Sequence, residues 1–329
     1  MFVYAGIDEA GYGPMLGPLC VGMGVIEMPD DSGNDVRSLD VWERFPAAVC
    51  RRPSDAGTSR IAVDDSKALK LPNSVTTRDP LAHLERAVLA SLGACGCFGV
   101  CTDAQLYETL GLRTSGLPWY GGGTLDLPLD TTADHIGLLG ALVRRSFERG
   151  ACRFGNLRCA CVDERVFNRL YDGAGSKASV SMRVVSKLMR ELASSYGDRP
   201  GTMVRLVIDR QGGRRSYANS VRRALGTDRV TVIRESERAS EYEAALAGGA
   251  EMRIVFSAEA DREHFPVALA SMTAKLVREL MMRRFNRYWN ARLPELKPTA
   301  GYVTDARRWL SDASAAITRD ERTILVRKA

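Results

Sequence analysis

Four acidic residues stand where apolar runs end, and this shared position could give them a joint chemistry. Asp8 and Glu9 close the first apolar run, Asp209 closes the run MVRLVI, and Asp261 follows MRIVFSAEA. In an α/β sheet, reactive groups gather where strands end, and carboxylates brought together there repel one another unless a cation joins them. An all-oxygen set suits Mg²⁺ or Mn²⁺, and the sequence has no His or Cys cluster that would favour zinc.

The chemistry that such a site supports is phosphodiester hydrolysis. Two divalent ions about 4 Å apart could activate a water, clamp a phosphate and stabilise the leaving 3′ oxygen, with no side-chain nucleophile. An acid at a strand end is also a common turn or helix-capping residue. Position alone therefore leaves open whether the four carboxylates act together or each merely ends its own element.

The elements that must position these acids alternate along the chain, and this alternation predicts an α/β fold in which helices flank a mixed sheet. Strands are predicted at 2–7, 19–28, 95–101, 157–162, 203–208, 230–233 and 252–256. Helices are predicted at 81–92, 135–147, 180–196, 214–225, 239–247 and 266–288. In the last helix, Leu269, Met272, Leu276 and Leu280 form the stripe expected to be buried.

Composition is typical of a globular protein with a substantial core, at 329 residues and 45% hydrophobic content. No apolar run approaches the roughly 18 residues of a membrane span. The first residues contain acids where a signal peptide needs basic residues. Together these two features predict a cytoplasmic protein. No cysteine pair has zinc spacing, so we expect buried, reduced thiols. The eight cysteines are Cys20, Cys50, Cys95, Cys97, Cys101, Cys152, Cys159 and Cys161.

The charge balance fits a polyanionic partner without demonstrating one. The net charge is +6, from 46 Lys and Arg against 40 Asp and Glu. Arginines cluster at 214–215, 222–223 and 278–287. Each cluster could equally be a solvated helix face.

Five short motifs follow one another along most of the chain, beginning with GIDEAGYGP at Gly6 to Pro14, and together they resemble those of the ribonuclease HII family. The opening GIDEAGYGP, from Gly6 to Pro14, resembles the family's GIDEAGRGP, and the GP pair that follows it is also present. The other segments that resemble family motifs are Asp65-Ser66-Lys67 with Leu69, Ile208-Asp209, Ser271-x-x-Ala274-Lys275-x-x-Arg278 with Asp261 ten residues before it, and Lys297 with Gly301-Tyr302-x-Thr304.

The resemblance implies a ribonuclease H-like fold and a metal-dependent enzyme that hydrolyses the RNA strand of RNA–DNA hybrids, or ribonucleotides embedded in duplex DNA, leaving a 5′-phosphate and a 3′-hydroxyl. It implies that a two-metal site with Mg²⁺ or Mn²⁺ is held by Asp8, Glu9, Asp209 and Asp261. Substrate contacts are expected from the Gly11-Tyr12-Gly13 turn and Tyr302, since glycine amides can approach a 2′-hydroxyl closely. The expected supporting contacts are Ser66, Lys67, Lys275 and Arg278.

The resemblance also suggests how the chain is divided. A catalytic domain is expected at 1–286 and a helical substrate-contacting region at 287–329. Two insertions, at about 29–62 and 103–160, are expected to account for most of the extra length.

Two departures from the family pattern keep alternatives open. Tyr12 replaces the arginine of the Gly-Arg-Gly turn, and Arg210 replaces the glycine after the central aspartate. One alternative is a protein that binds hybrids but cuts them weakly or not at all; another is a two-metal nuclease acting on a different nucleic-acid structure. Retention of all four carboxylates favours the enzyme, because a dead site would be free to lose crowded like charges.

Overall fold

The computed structural model describes residues 1–29, 40–210 and 214–328, so 30–39 of the expected first insertion lie outside it. Within these ranges, seven strands form one sheet and two short strands form another. The strands are β1 (Phe2–Ala10), β2 (Leu19–Met28), β3 (Val49–Cys50), β4 (Ile61–Ala62), β5 (Arg153–Val162), β6 (Met203–Asp209), β7 (Val230–Glu235), β8 (Ala239–Ala245) and β9 (Glu251–Ser257).

The large sheet has the order β5-β2-β1-β6-β9-β8-β7. Strand β6 pairs in parallel with β1 on one side and with β9 on the other. The other pairings in this sheet are antiparallel. Helices cover both faces. The predicted α/β class, a mixed sheet flanked by helices, is therefore confirmed.

The helices agree with most of those predicted from the sequence. They are α1 (Val41–Arg44), α2 (Pro53–Ala56), α3 (Ser66–Leu69), α4 (Ala82–Ala94), α5 (Asp103–Thr109), α6 (Pro118–Gly121), α7 (Ala133–Arg149), α8 (Glu164–Ala174), α9 (Lys177–Tyr196), α10 (Ala218–Leu225), α11 (Ala260–Glu263), α12 (Phe265–Arg292), α13 (Val303–Asp312) and α14 (Arg319–Leu325). None of these described helices combines the length and apolar character that crossing a membrane requires.

Helix α12 lies directly on the β1–β2 hairpin, and the predicted stripe along it is buried. The approach is close because glycines face the helix. A methyl group added to Gly22 would overlap the carbonyl oxygen of Ala270, and one added to Gly6 would overlap the backbone nitrogen of Val267. The opposite face of the sheet is covered by α9, whose Val185 and Leu188 join the core there. The sheet is thus held between α12 and α9.

Two sequence predictions of local structure are wrong. The helix predicted at 239–247 is strand β8, in which Ser240, Tyr242 and Ala244 are buried. Burial of Tyr242 against Phe256 between two neighbouring strands outweighs the helical preference of the Ala and Glu residues. The strand predicted at 95–101 is a loop.

That loop turns at two glycines with positive φ, Gly96 at 89° and Gly99 at 75°. Phe98 between them is 56% exposed, so the apolar run does not enter a sheet. Cys97 and Cys101 are exposed as a consequence, in contrast to the burial expected for them. The eight thiols are free, as expected.

The expected insertions pack against the rest of the fold. The described part of the first contributes α1, the small sheet and α2, and Trp42 of α1 packs against Phe265 with ring centroids 5.2 Å apart. The second contributes α5, α6 and α7, and its last residues lie in β5, which pairs with β2. Trp119 of α6 lies 6.0 Å, centroid to centroid, from Trp289 of α12.

We expect Gly22→Ala to lower the free energy of unfolding by about 3 kcal/mol, because the added methyl group meets backbone rather than a flexible side chain. Chemical denaturation measures this. Gly137→Ala is the matched control: Gly137 lies within α7 with open space around it, so the same change should be neutral or stabilise by about 0.5–1 kcal/mol. Equal stabilities for the two variants would contradict the close contact of α12 with the hairpin.

Candidate active site

Three neighbouring parallel strands carry the predicted acids to one edge of the sheet. Asp8 lies near the carboxyl end of β1, and Asp209 is the last residue of β6, the next strand. Asp261 lies in α11, which begins directly after β9, the strand beside β6. Glu9 follows Asp8. The four predicted carboxylates therefore lie at one edge of the sheet. Because they are far apart in the sequence, their positions along the chain could not establish this.

Backbone amides and a serine hold the acids in place. Asp8 accepts a hydrogen bond through Oδ1 from the amide of Glu9 at 2.7 Å and one from the side chain of Ser271. The Ser271 hydroxyl lies 3.0 Å from that of Ser66. Asp209 accepts from the amide of Ala260 at 2.9 Å, which ties the end of β6 to α11. Three sequence motifs are thereby joined by hydrogen bonds.

Burial, and then the charges of neighbouring acids, raise the pKa of the three aspartates Asp8, Asp209 and Asp261. Asp8 is 7% exposed, and its pKa rises well above the ordinary value because of burial and then of the charges of Glu9 and Asp209. The pKa of Asp209 rises to about 6, chiefly by burial and further by Asp261, while the charge of Lys67 opposes the rise. The pKa of Asp261 is also raised by burial. Such carboxylates are poised to accept a compensating cation.

The donor set fits a divalent ion chemically, since it consists of carboxylate oxygens. In the conformations of the described residues, no three Asp, Glu, His or Cys side chains already converge as a metal cage. The fit therefore lies in the charge and type of the donors. The four candidates for holding a metal are Asp8, Glu9, Asp209 and Asp261.

A glycine turn follows β1 beside these acids. Gly11 has φ of 88°, which L-residues with side chains rarely adopt, and Gly13 is exposed. Beneath the turn lies Arg278, whose guanidinium is buried; a methyl group on Gly11 would come within 2.5 Å of its Nε. Its Nη2 donates to the carbonyl of Ala300 at 2.9 Å. Arg278, one of the expected supporting contacts, lies under the turn in this conformation with its guanidinium buried.

The predicted substrate-contacting tyrosines lie on the same side of the molecule as the turn. Tyr302 is 49% exposed, and its ring centroid lies 5.6 Å from the guanidinium carbon of Arg278. Tyr12 is half-buried, and its pKa is raised by burial and by the charge of Glu9. The carbonyl of Gly301 accepts hydrogen bonds from the amides of residues 15 and 16, so the segment before Tyr302 is attached to the turn.

The predicted lysines differ in their surroundings. Lys67 is exposed near Asp209 and Asp261. Lys275 forms an ion pair with Glu279 at 2.8 Å, and its side chain is 13% exposed. Lys67 is therefore free to meet solvent or ligand at the edge, whereas Lys275 is engaged along the helix.

Sequence reasoning missed Glu164, which is fully buried behind the turn. It accepts hydrogen bonds from the amide of Gly17 at 3.0 Å and the hydroxyl of Tyr120 at 2.9 Å. Glu164 follows the end of β5, so it carries the same strand-end signal as the recognised acids. Through this carboxylate the second insertion is connected to the Gly17-Pro18 segment that follows the glycine turn.

Sequence reasoning also missed Arg327, whose guanidinium donates to the carbonyls of Gly11 at 2.5 Å and Tyr12 at 3.1 Å. No local pattern around residue 327 indicates this role, because its partners are more than 300 positions away in the chain.

No family model matches the chain, and no curated protein matches it. Several solved structures are similar to it. The RNase HII–PCNA complex from Archaeoglobus fulgidus has 14% identity and a TM-score of 0.42, with 99% of this chain and 93% of that chain covered. Ribonuclease H2 from Pyrococcus horikoshii has 15% identity and a TM-score of 0.39, covering 98% and 96%. Bst-RNase HIII in complex with Mn²⁺ has 13% identity and a TM-score of 0.40, covering 99% and 65%.

Glu164 makes stability depend on pH. Burial raises its pKa from 4.5 to about 7, so ionisation is harder in the folded than in the unfolded state. Below about pH 4.5 Glu164 is protonated in both the folded and the unfolded state, so its burial costs no ionisation energy. As pH rises from 4.5 to 7 only the unfolded state ionises freely, and on the order of 3 kcal/mol of folding stability is lost. Glu164→Gln should remove this loss, and denaturation at pH 4.5 and 8 measures it. If the free energy of unfolding of Glu164→Gln, relative to that of the natural chain, does not increase between pH 4.5 and pH 8, the raised pKa of Glu164 is contradicted.

Proposed function

We propose that the chain is a divalent-metal-dependent endonuclease of the ribonuclease HII type. In this proposal it hydrolyses the RNA strand of RNA–DNA hybrids, or ribonucleotides embedded in duplex DNA, and leaves a 5′-phosphate and a 3′-hydroxyl. The observation that carries the proposal is the meeting of Asp8, Asp209 and Asp261 at one sheet edge, with the Gly11 turn beside them. The order of the five sequence motifs supports it independently of that geometry.

The roles proposed for the acids follow from their environment. Asp8, Glu9, Asp209 and Asp261 would hold Mg²⁺ or Mn²⁺, and a bound ion would relieve the repulsion that, after burial, raises the pKa of Asp8 and Asp209. When bound, the ions supply activation of water and stabilisation of the leaving oxygen. Hydrogen bonds from Ser271 and from the amide of Ala260 orient Asp8 and Asp209 for this task.

Substrate recognition is proposed for the surface beside the acids. The Gly11-Tyr12-Gly13 turn offers backbone amides to a ribose hydroxyl, and the exposed ring of Tyr302 offers a flat face to a sugar. Lys67 would contact a backbone phosphate near Asp209 and Asp261. Ser66 and Lys275 support this surface through Ser271 and Glu279.

Arg278 contributes indirectly, since its buried guanidinium lies under the turn and next to the ring of Tyr302. Under the proposal, the helical region at 287–329 contacts substrate through Tyr302. The division at 286–287, which falls within α12, stays a prediction.

Asp209→Asn should reduce metal-dependent cleavage by roughly a hundredfold or more, because it removes one charge of the metal-holding set. The assay compares a duplex with a single ribonucleotide, a continuous RNA–DNA hybrid and an all-DNA duplex, each with Mg²⁺ or Mn²⁺. Asp228→Asn, at an exposed position outside the edge, is the control and should cleave normally. Melting temperatures of both variants verify folding.

Unchanged turnover in Asp209→Asn would overturn the assignment of the acids. Cleavage of the all-DNA duplex alone would favour the nuclease with another substrate. Hybrid binding without any metal-dependent cleavage by the natural chain would favour the binding protein.

Affinity for the hybrid should fall as salt rises, because cations that contact phosphates displace counterions on binding. The logarithm of the association constant should decrease linearly with the logarithm of salt concentration, by about 0.9 per phosphate contact for a B-form duplex. Fluorescence anisotropy with the Asp209→Asn variant measures binding without cleavage. Lys67→Met should reduce the steepness of this dependence by about 0.9, the value for one phosphate contact. An affinity that does not change with salt would exclude a surface that contacts the phosphate backbone.

A further inference from the structure

Arg327, which follows α14, reaches across the molecule to the glycine turn. Its guanidinium Nη1 donates to the carbonyl of Gly11 at 2.5 Å and its Nη2 to the carbonyl of Tyr12 at 3.1 Å. The residue is 2% exposed. One guanidinium thus holds two successive peptide groups of the turn through its planar fork.

The segment that carries Arg327 is itself firmly attached. The Arg327 amide donates to the carbonyl of Met15 at 2.9 Å. On the other side, the side-chain amide of Asn168 donates to the carbonyl of Val326 at 2.9 Å, and its oxygen accepts from the amide of Lys328 at 2.8 Å. These bonds leave the guanidinium little freedom to move away from the turn.

Phe167 of α8 supplies a platform for the guanidinium, whose central carbon lies 3.9 Å from the ring centroid. Helix α8 therefore fixes both the backbone around Arg327, through Asn168, and the plane of its side chain, through Phe167. The helix acts as a rigid base for the contact with the turn.

Holding these two carbonyls also determines where the turn's amides point. A trans peptide is planar, so its N–H points opposite to its C=O. With the carbonyls of Gly11 and Tyr12 directed at Arg327, the N–H groups of Tyr12 and Gly13 are directed away from it. Those N–H groups are the donors that the proposed function assigns to substrate.

Burying this charge is unfavourable, which indicates that stability alone does not account for it. Burial and the nearby charge of Arg278 lower the pKa of Arg327 to about 10. Its Nε is buried with no hydrogen-bond partner among the described residues. Two buried guanidinium groups near one short turn oppose each other, so both positions carry an energetic penalty.

We propose that Arg327 is a positioning residue of the recognition turn: by holding the Gly11 and Tyr12 carbonyls, it aims the turn's amides at the substrate ribose. The inference rests on the proposed function for the identity of the ligand, and on the hydrogen bonds alone for the orientation of the turn. Arg327 lies outside the five sequence motifs, so the proposal adds a residue near the end of the described chain to those that recognise ribose.

The first measurement is kinetic and uses the full chain. Arg327→Met, which keeps an unbranched apolar side chain for Phe167, should raise KM for the single-ribonucleotide duplex about tenfold or more, the scale of a charge-assisted hydrogen bond. The value of kcat should change much less, because the acids are untouched. Arg327→Lys retains the charge but not the fork, so it should recover only part of the loss. Arg322→Met, at an exposed arginine of α14, is the matched control and should behave as the natural chain.

The second measurement needs no substrate and separates this inference from the proposed function. The NMR order parameters of the amides of residues 12 and 13 should be lower in Arg327→Lys than in the natural chain or in Arg322→Met, because the two carbonyls of the turn are no longer held by the guanidinium fork. Failure of the natural chain to bind or cut any duplex would remove the function but leave this expectation standing.

Folded Arg327→Met with natural KM and natural amide order parameters at the turn would overturn the positioning role. Should Arg327→Met not fold, Arg327→Lys decides the matter through the same two readouts. A fall in kcat with unchanged KM in Arg327→Lys would likewise contradict the proposal, because it would locate the effect at the acids instead of the turn.

Discussion

Everything at the candidate site depends on the contact between α12 and the β1–β2 hairpin. The absence of side chains at Gly6 and Gly22 lets the helix backbone lie directly on the strands. Only at that separation does Ser271 reach Asp8 and Arg278 reach the underside of Gly11. A conventional side-chain layer between helix and sheet would move both groups away, since packed helices and sheets are normally about 10 Å apart.

The close contact brings charges into the interior, and their unfavourable burial is distributed around the site. Asp8 and Asp209 have raised pKa values because they are buried beside other acids. Arg278 and Arg327 are buried together under the turn, close enough that the charge of Arg278 contributes to lowering the pKa of Arg327. Glu279 lies 3.9 Å from the guanidinium of Arg278, and the charge of Glu164 acts on Arg327, yet like charges buried beside one another still reduce stability. Buried like charges at several adjacent positions lower the stability of the fold, and such clusters are typical of regions that bind ligands.

The sequence predicted the parts of this arrangement that are encoded locally. The hairpin, the long helix and the strand-end positions of Asp8 and Asp209 follow from apolar runs and their boundaries, and the structure agrees with each. Local preference misled where tertiary burial decided the outcome, as in the strand at 239–245. It also misled at 95–101, where glycines turn an apolar run out to solvent. Periodicity cannot separate these cases because it contains no information on neighbours.

The supporting residues of the site were beyond prediction for a different reason. Arg327 looks unremarkable in sequence. Glu164 carries a strand-end signal, but like Arg327 it acquires its supporting role from a partner far along the chain, Gly17 for Glu164 and Gly11 for Arg327. Arg327 binds backbone carbonyls, and Glu164 binds a backbone amide as well as the hydroxyl of Tyr120, so residue type does little to mark these partners. A turn rich in glycine cannot hold its own shape, because glycine restricts the backbone least. Distant groups must therefore hold the turn and the segment that follows it, and only the folded chain reveals that Arg327 does so at Gly11 and Glu164 at Gly17.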